Sequence, residues 1–172
     1  MKKLIIVFVC LALAFATFAC GGKKGEEATA SGAAPAKPKD AVTMSGEYIC
    51  RYFNMTFASG WQATQEKFGM VNVLPDGKVS PGLYFKFEGD GNAAGTAEES
   101  INTMISGYNG SPMGTTTIDG VEFKTTTYTY DRMTQTMYVA YRNGTKITVT
   151  IEGEGAKDNR DIKAMLSTVQ FR

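Results

Sequence analysis

Histidine is absent from all 172 residues, and its absence excludes whole classes of chemistry. Without an imidazole there is no Ser-His-Asp or Cys-His site, and the commonest protein metal ligand is gone. Cysteine is scarce: Cys10, Cys20 and Cys50 are the three, and no spacing among them resembles a zinc site or a disulfide framework. A basic excess is missing as well. The formal charge is +1, and residues 41–172 hold 12 Lys or Arg against 14 Asp or Glu. An electrostatic nucleic-acid binder shows a clear positive surplus, so no nucleic-acid partner is expected. There is one long apolar run, Leu4 to Ala19, slightly shorter than the roughly 18–20 residues that a membrane-spanning helix needs.

What is present begins with that run. Met1-Lys2-Lys3 is a basic start, the apolar stretch follows, and small Ala19 precedes Cys20. The pattern is that of an export signal cut between Ala19 and Cys20. Residues 21–40 then contain no aromatic residue and no Val, Ile or Leu. They cannot offset the entropy of ordering by burial, and about 20 residues of flexible coil span roughly 25 Å. This segment resembles a bacterial lipoprotein leader, in which the cysteine is acylated and becomes the first residue of the mature chain. The resemblance implies lipid attachment at Cys20. Because Gly21 rather than Asp follows, it also implies passage to the outer membrane, with the domain facing the periplasm. Thr17 and Phe18 depart from the family's preference for an aliphatic and then a small residue. They also suit an ordinary signal peptidase, which would leave Cys20 as a free thiol able to pair with Cys50 in an oxidising compartment. The chain thus divides into a signal peptide (1–19), a lipidated Cys and flexible linker (20–44) and a single domain (45–172).

Within the domain, short strands alternate with turns. "GEYICRYFNMTF" is β-rich, Leu83, Phe85 and Phe87 alternate with Tyr84, Lys86 and Glu88, and "QTMYVAY" and "TKITVTI" flank Asn143-Gly144. That pair suits a two-residue hairpin turn with positive φ at both positions. Asp119-Gly120 and Asp131-Arg132 read as further turns around "VEFKTTTYTY". Two helices are expected. Thr96 and Glu99 form a capping box ahead of Ile101, Met104, Ile105 and Tyr108, and Ile162, Met165, Leu166 and Val169 share one face of a helix from about Asp158 to Thr168. The fold class is α+β: an antiparallel meander with two helices packed on it. The order of elements, Phe57-Ala58-Ser59-Gly60-Trp61, Gly120-Val121-Glu122-Phe123 and the closing Met165–Phe171 segment resemble the PsbP-type fold. Ala58 replaces the Pro usual in that family. The resemblance implies a module that binds or stabilises protein partners rather than catalyses.

Four candidate sites follow. Glu88, Asp90, Asn92 and Glu99 fall at calcium-loop positions. However, Ala93 stands where a glycine is required, and a polar strand-to-helix loop explains the residues better. Cys50 reads as a small buried side chain in mid-strand, and Met133 and Met137 as core filler. Tyr128, Tyr130 and Tyr138, with neighbouring Thr hydroxyls, are expected on one face of two adjacent strands, where rigid amphipathic side chains suit a protein or glycan partner. No catalytic constellation, metal site or cofactor site emerges. The expectation is a membrane-anchored, non-enzymatic interaction module. The alternative is a small-ligand or metal receptor with a pocket between sheet and helices, and a hydrolase is a distant third because no nucleophile turn is present.

Overall fold

Four two-residue turns organise the sheet. In the computed structural model, which describes residues 41–64, 66–89 and 96–172, the pairs Phe68-Gly69, Asp119-Gly120, Asp131-Arg132 and Asn143-Gly144 all have positive φ at both positions. Such turns twist in the same sense as the strands they join. They connect β4 (Met70–Pro75) to the segment before it, then β6 (Ser111–Ile118), β7 (Val121–Tyr130), β8 (Met133–Arg142) and β9 (Thr145–Glu152) in succession. With β3 (Trp61–Ala63) and β5 (Gly82–Glu88) they form a seven-stranded antiparallel sheet, order β3-β4-β5-β9-β8-β7-β6.

The β-rich N-terminal stretch does not join that sheet. It splits at Cys50–Tyr52 into β1 (Met44–Ile49) and β2 (Phe53–Ala58), which with β10 (Gln170–Phe171) make a separate three-stranded sheet. Cys50 therefore sits at a turn, half-buried and unpaired, and not in mid-strand. The single meander expected from the sequence becomes two sheets.

Helix α1 (Ala97–Tyr108) begins at the expected capping box. Glu99 N donates to Thr96 Oγ1 at 3.1 Å, and the Glu99 carboxylate accepts from Thr96 N at 2.5 Å. Helix α2 (Arg160–Leu166) is shorter than its apolar spacing suggests. A single 3₁₀ turn (Ala156–Asp158) precedes it, and Asn159 caps it by accepting from Asp161 N and Ile162 N. Val169 lies beyond the helix but stays buried.

The two helices pack on opposite faces of the large sheet. α1 covers part of β7 and β8 through Ile101, which clusters with Tyr128, Met137 and Val139. The small sheet and α2 cover the other face, where Phe53, Met55, Ile162 and Met165 join Val71, Phe85, Phe123, Val149 and Ile151 in the main core. The alternation read in β5 and β9 holds: Leu83, Phe85, Phe87, Ile147, Val149 and Ile151 all face that core. Among the described residues, no helix is long and apolar enough to cross a membrane.

Candidate functional site

Beyond the end of α1, the sheet face that the helix leaves open carries a connected row of polar side chains. The register fixes the row. Tyr128 stands opposite Gln135, and Gln135 opposite Glu152; Tyr84 lies on β5, beside β9. The Tyr128 hydroxyl donates to Gln135 Oε1 at 2.7 Å, and Gln135 Nε2 donates to Glu152 Oε2 at 2.8 Å. The Tyr84 hydroxyl donates to Glu152 Oε1 at 3.3 Å. Four strands are thus laced by hydrogen bonds that converge on one carboxylate. Gly82 makes room for this row: a Cβ there would stand 2.5 Å from the Tyr84 ring, which folds over the bare glycine.

On this base sit three more apolar groups. Tyr108, at the last turn of α1, packs against Tyr128 at 5.8 Å and meets Tyr130 edge-on at 5.5 Å between ring centroids. Met133 faces Tyr130 across the β7–β8 turn. Tyr130 is 52% exposed, Tyr108 41% and Met133 38%. Aromatic side chains held at this exposure by packed neighbours can bury area on a partner with little further loss of freedom.

Tyr128 and Tyr130 therefore come together as expected, but Tyr138 does not. It stands opposite Thr125 and Val149 on the other face, packed against the main core. The reason is parity: a two-residue turn pairs Tyr130 with Met133, which sets Tyr138 one residue out of phase with Tyr128. Met137 fills the core under α1, whereas its neighbour on the same face, Met133, is left at the surface. Of the calcium-loop candidates, Asp90 and Asn92 lie outside the described residues, as does Cys20. Glu88 is engaged by Lys86 at 2.9 Å and Lys146 at 3.8 Å, and Glu99 serves the helix cap. Among the described residues, no group of three or more Cys, Asp or Glu side chains is placed to hold a metal ion.

Gln135 and Glu152 are not singled out in the sequence, and Tyr84 and Tyr108 read there only as strand and helix positions, not as parts of a site. The Asn143-Gly144 turn does specify the Gln135–Glu152 pair, because a two-residue loop fixes every partner along the hairpin.

Burial raises the phenol pKa of Tyr84 above its ordinary value, with the Glu152 charge and hydrogen bond adding to the shift. Tyr128 is raised first by burial, then by Tyr108 and Glu152. Tyr48 and Tyr138 are raised, again first by burial. A raised pKa means that the folded chain holds these protons longer than the unfolded chain does. Their contribution is then complete below about pH 10 and is lost as pH climbs through the folded values. Thermal melts should accordingly hold steady up to about pH 10 and weaken beyond it, in step with tyrosinate absorbance near 295 nm. Glu152→Gln should bring Tyr84 part of the way back, because burial remains.

No family model matches the chain, and no curated protein matches it. Among solved structures, the fold is similar to a crystal structure of a protein from Bacteroides thetaiotaomicron VPI-5482, with TM-score 0.50, 11% identity and 73% of this chain covered. The chain spans about half of that protein's length, 48%. It is also similar to the solution structure of cyanobacterial PsbP (CyanoP) from Synechocystis sp. PCC 6803, with TM-score 0.49 and 11% identity over 80% of this chain and 98% of that one. At such identity the Bacteroides likeness speaks for the fold alone.

Proposed function

We propose that the protein is a membrane-anchored, non-enzymatic accessory module. Cys20 ties it to an envelope membrane, the outer membrane by the leader's pattern, and the Tyr108–Tyr130–Met133 rim docks a protein partner on the periplasmic side. The observation that carries the docking surface is the exposed aromatic rim seated on a hydrogen-bonded base. The anchor rests on the apolar run ending at Cys20 and on the unburiable tail behind it. A small-ligand receptor has less support. The two clefts between α1 and the sheet measure about 260 and 250 Å³, below the ~300–1,000 Å³ of usual ligand sites; the larger hollows, about 330, 350 and 480 Å³, are open ones at turns and at the β3–β4 edge.

Two measurements test the parts separately. In detergent-phase partitioning, the native protein should enter the detergent phase and Cys20→Ala should move to the aqueous phase; an unchanged partition counts against the anchor. In whole cells, a photo-crosslinker at position 130 should capture one dominant envelope protein, identified by mass spectrometry. Tyr130→Ala should weaken binding to that protein by roughly tenfold or more, as expected for an aromatic hot spot, while Tyr138→Phe should leave binding unchanged. Equal capture from both sheet faces would count against the rim.

A further inference from the structure

One corner of the domain breaks two local rules at once. At the three hairpin turns between β6 and β9, the first position is Asp119, Asp131 or Asn143, residues that tolerate positive φ. The turn before β4 has the same geometry, closed by Lys67 N to Met70 O at 3.1 Å and Met70 N to Lys67 O at 2.8 Å, yet its first residue is Phe68 at φ +50°. A bulky side chain there strains the backbone. Its ring touches nothing that would compensate, because Phe68 is 97% exposed. Strain retained without a folded-state gain marks a functional position.

The neighbouring turn shares the corner. Ile49 is 57% exposed at the end of β1. Arg51 follows it, with a side chain 66% exposed that reaches Glu66 at 3.8 Å. Glu66 also accepts from Gly69 N at 2.9 Å, which ties the two turns together. Around the two apolar tips stand the exposed cations Arg51, Lys67 and Arg172, the last held beside Tyr52 by its backbone N–H. The acidic side chain between the turns, Glu66, is already engaged by Arg51 and Gly69.

We infer that this corner inserts into the headgroup layer of an anionic lipid bilayer, Phe68 and Ile49 entering the interface while Lys67 and Arg172 meet lipid phosphates and Arg51 stays paired with Glu66. The composition of the corner favours lipid over a protein partner. Its exposed apolar side chains are Phe68, Ile49 and Met70, the last 46% exposed beside an open hollow that Lys67 and Phe68 also line. One aromatic and one aliphatic tip beside exposed cations also match the chemistry of the interface. The inference draws on the proposed membrane anchorage only for the nearness of a bilayer. The described chain begins near the opposite end of the strands, where Ser59 N donates to Thr43 O, so insertion would give the domain a second, oriented contact.

The test uses the full chain on phosphatidylglycerol–phosphatidylcholine vesicles containing lipids brominated high on the acyl chain. Phe68→Trp is compared with Val79→Trp, another bare position (80% exposed), in the loop that follows β4. The Phe68→Trp indole should shift to the blue and lose emission, more so on anionic than on zwitterionic vesicles, while the Val79→Trp indole should not. Phe68→Asn should raise the melting temperature and halve or abolish salt-sensitive vesicle binding in the Cys20→Ala chain. If the native chain floats with vesicles but the Phe68→Trp indole is not quenched, the inference is overturned and the anchor stands. Absence of both flotation and quenching overturns the two together. Quenching at both positions means unspecific adsorption and overturns the inference, as does a lowered melting temperature in Phe68→Asn.

Discussion

Phe53→Ala is expected to cost about 3–5 kcal/mol, the range for removing a fully buried aromatic side chain. Phe53 has no exposed surface. Its ring stacks on Phe85 at 4.4 Å and lies 5.7 Å from Phe87 and 5.8 Å from Tyr48, and its backbone pairs with Phe171. It therefore joins the three-stranded sheet to the middle of the seven-stranded one. The cavity left by alanine cannot close, because β5 is held by β4 and β9 on either side and cannot move toward β2. For a domain of this size the loss corresponds to a fall of about 10–20 °C in melting temperature, readable by calorimetry or circular dichroism. Phe53→Leu should cost clearly less. Below the lowered midpoint, binding at the Tyr130 rim should survive, since the rim lies on the opposite face of the large sheet. A fall of only a degree or two would mean that the small sheet docks loosely and that the core is not continuous.

The parts of this fold visible in the sequence are those with local causes. The α1 capping box, the alternation in β5 and β9 and the Asn143-Gly144 turn each involve residues within a few positions of one another, and each forms as read. Strand β6 escaped because it lies at the sheet edge with most of its residues exposed. Pro112 and a register shift near Gly114 interrupt it, so no alternation is imposed. The split between β1 and β2 was hidden by continuous β-forming residues, since nothing local says which sheet a strand will join. Helix α2 ran long in expectation because buried apolar spacing continues through Val169 after the helical hydrogen bonds have stopped.

The candidate site divides in the same way. Tyr128 and Tyr130 share a face by their spacing alone. Tyr138 requires carrying parity across the Asp131-Arg132 turn, a step the composition of the strands does not announce. Tyr84 and Glu152 are 68 residues apart, and their meeting depends on β5 pairing with β9, which only the completed topology supplies. Nothing in the sequence singles out Phe68, since its exposure and positive φ belong to the fold.

Gly69→Ala should cost about 2–4 kcal/mol, combining the ~1–2 kcal/mol of a left-handed backbone with ~1–3 kcal/mol of overpacking. Gly69 sits at φ +75°, and a Cβ there would intrude on the Phe87 carbonyl oxygen, with the Tyr52 hydroxyl 3.4 Å away. Phe87 N donates to Gly69 O at 2.8 Å, so the clash is between two backbones already drawn together. No rotamer change relieves it; the turn must lift off β5, and the bond must lengthen or break. Gly60→Ala supplies the control. Gly60 has nearly the same φ, +80°, but nothing lies within 4 Å of its would-be Cβ, so it should lose only the ~1–2 kcal/mol of conformational strain. In urea unfolding the Gly69 variant should fall below the Gly60 variant by at least ~1 kcal/mol, the lower limit for overpacking. The Phe87 amide should also exchange faster with solvent in the Gly69 variant alone. Equal losses would show that the turn relaxes freely, and a turn that relaxes freely could not hold Phe68 outward against its own backbone preference.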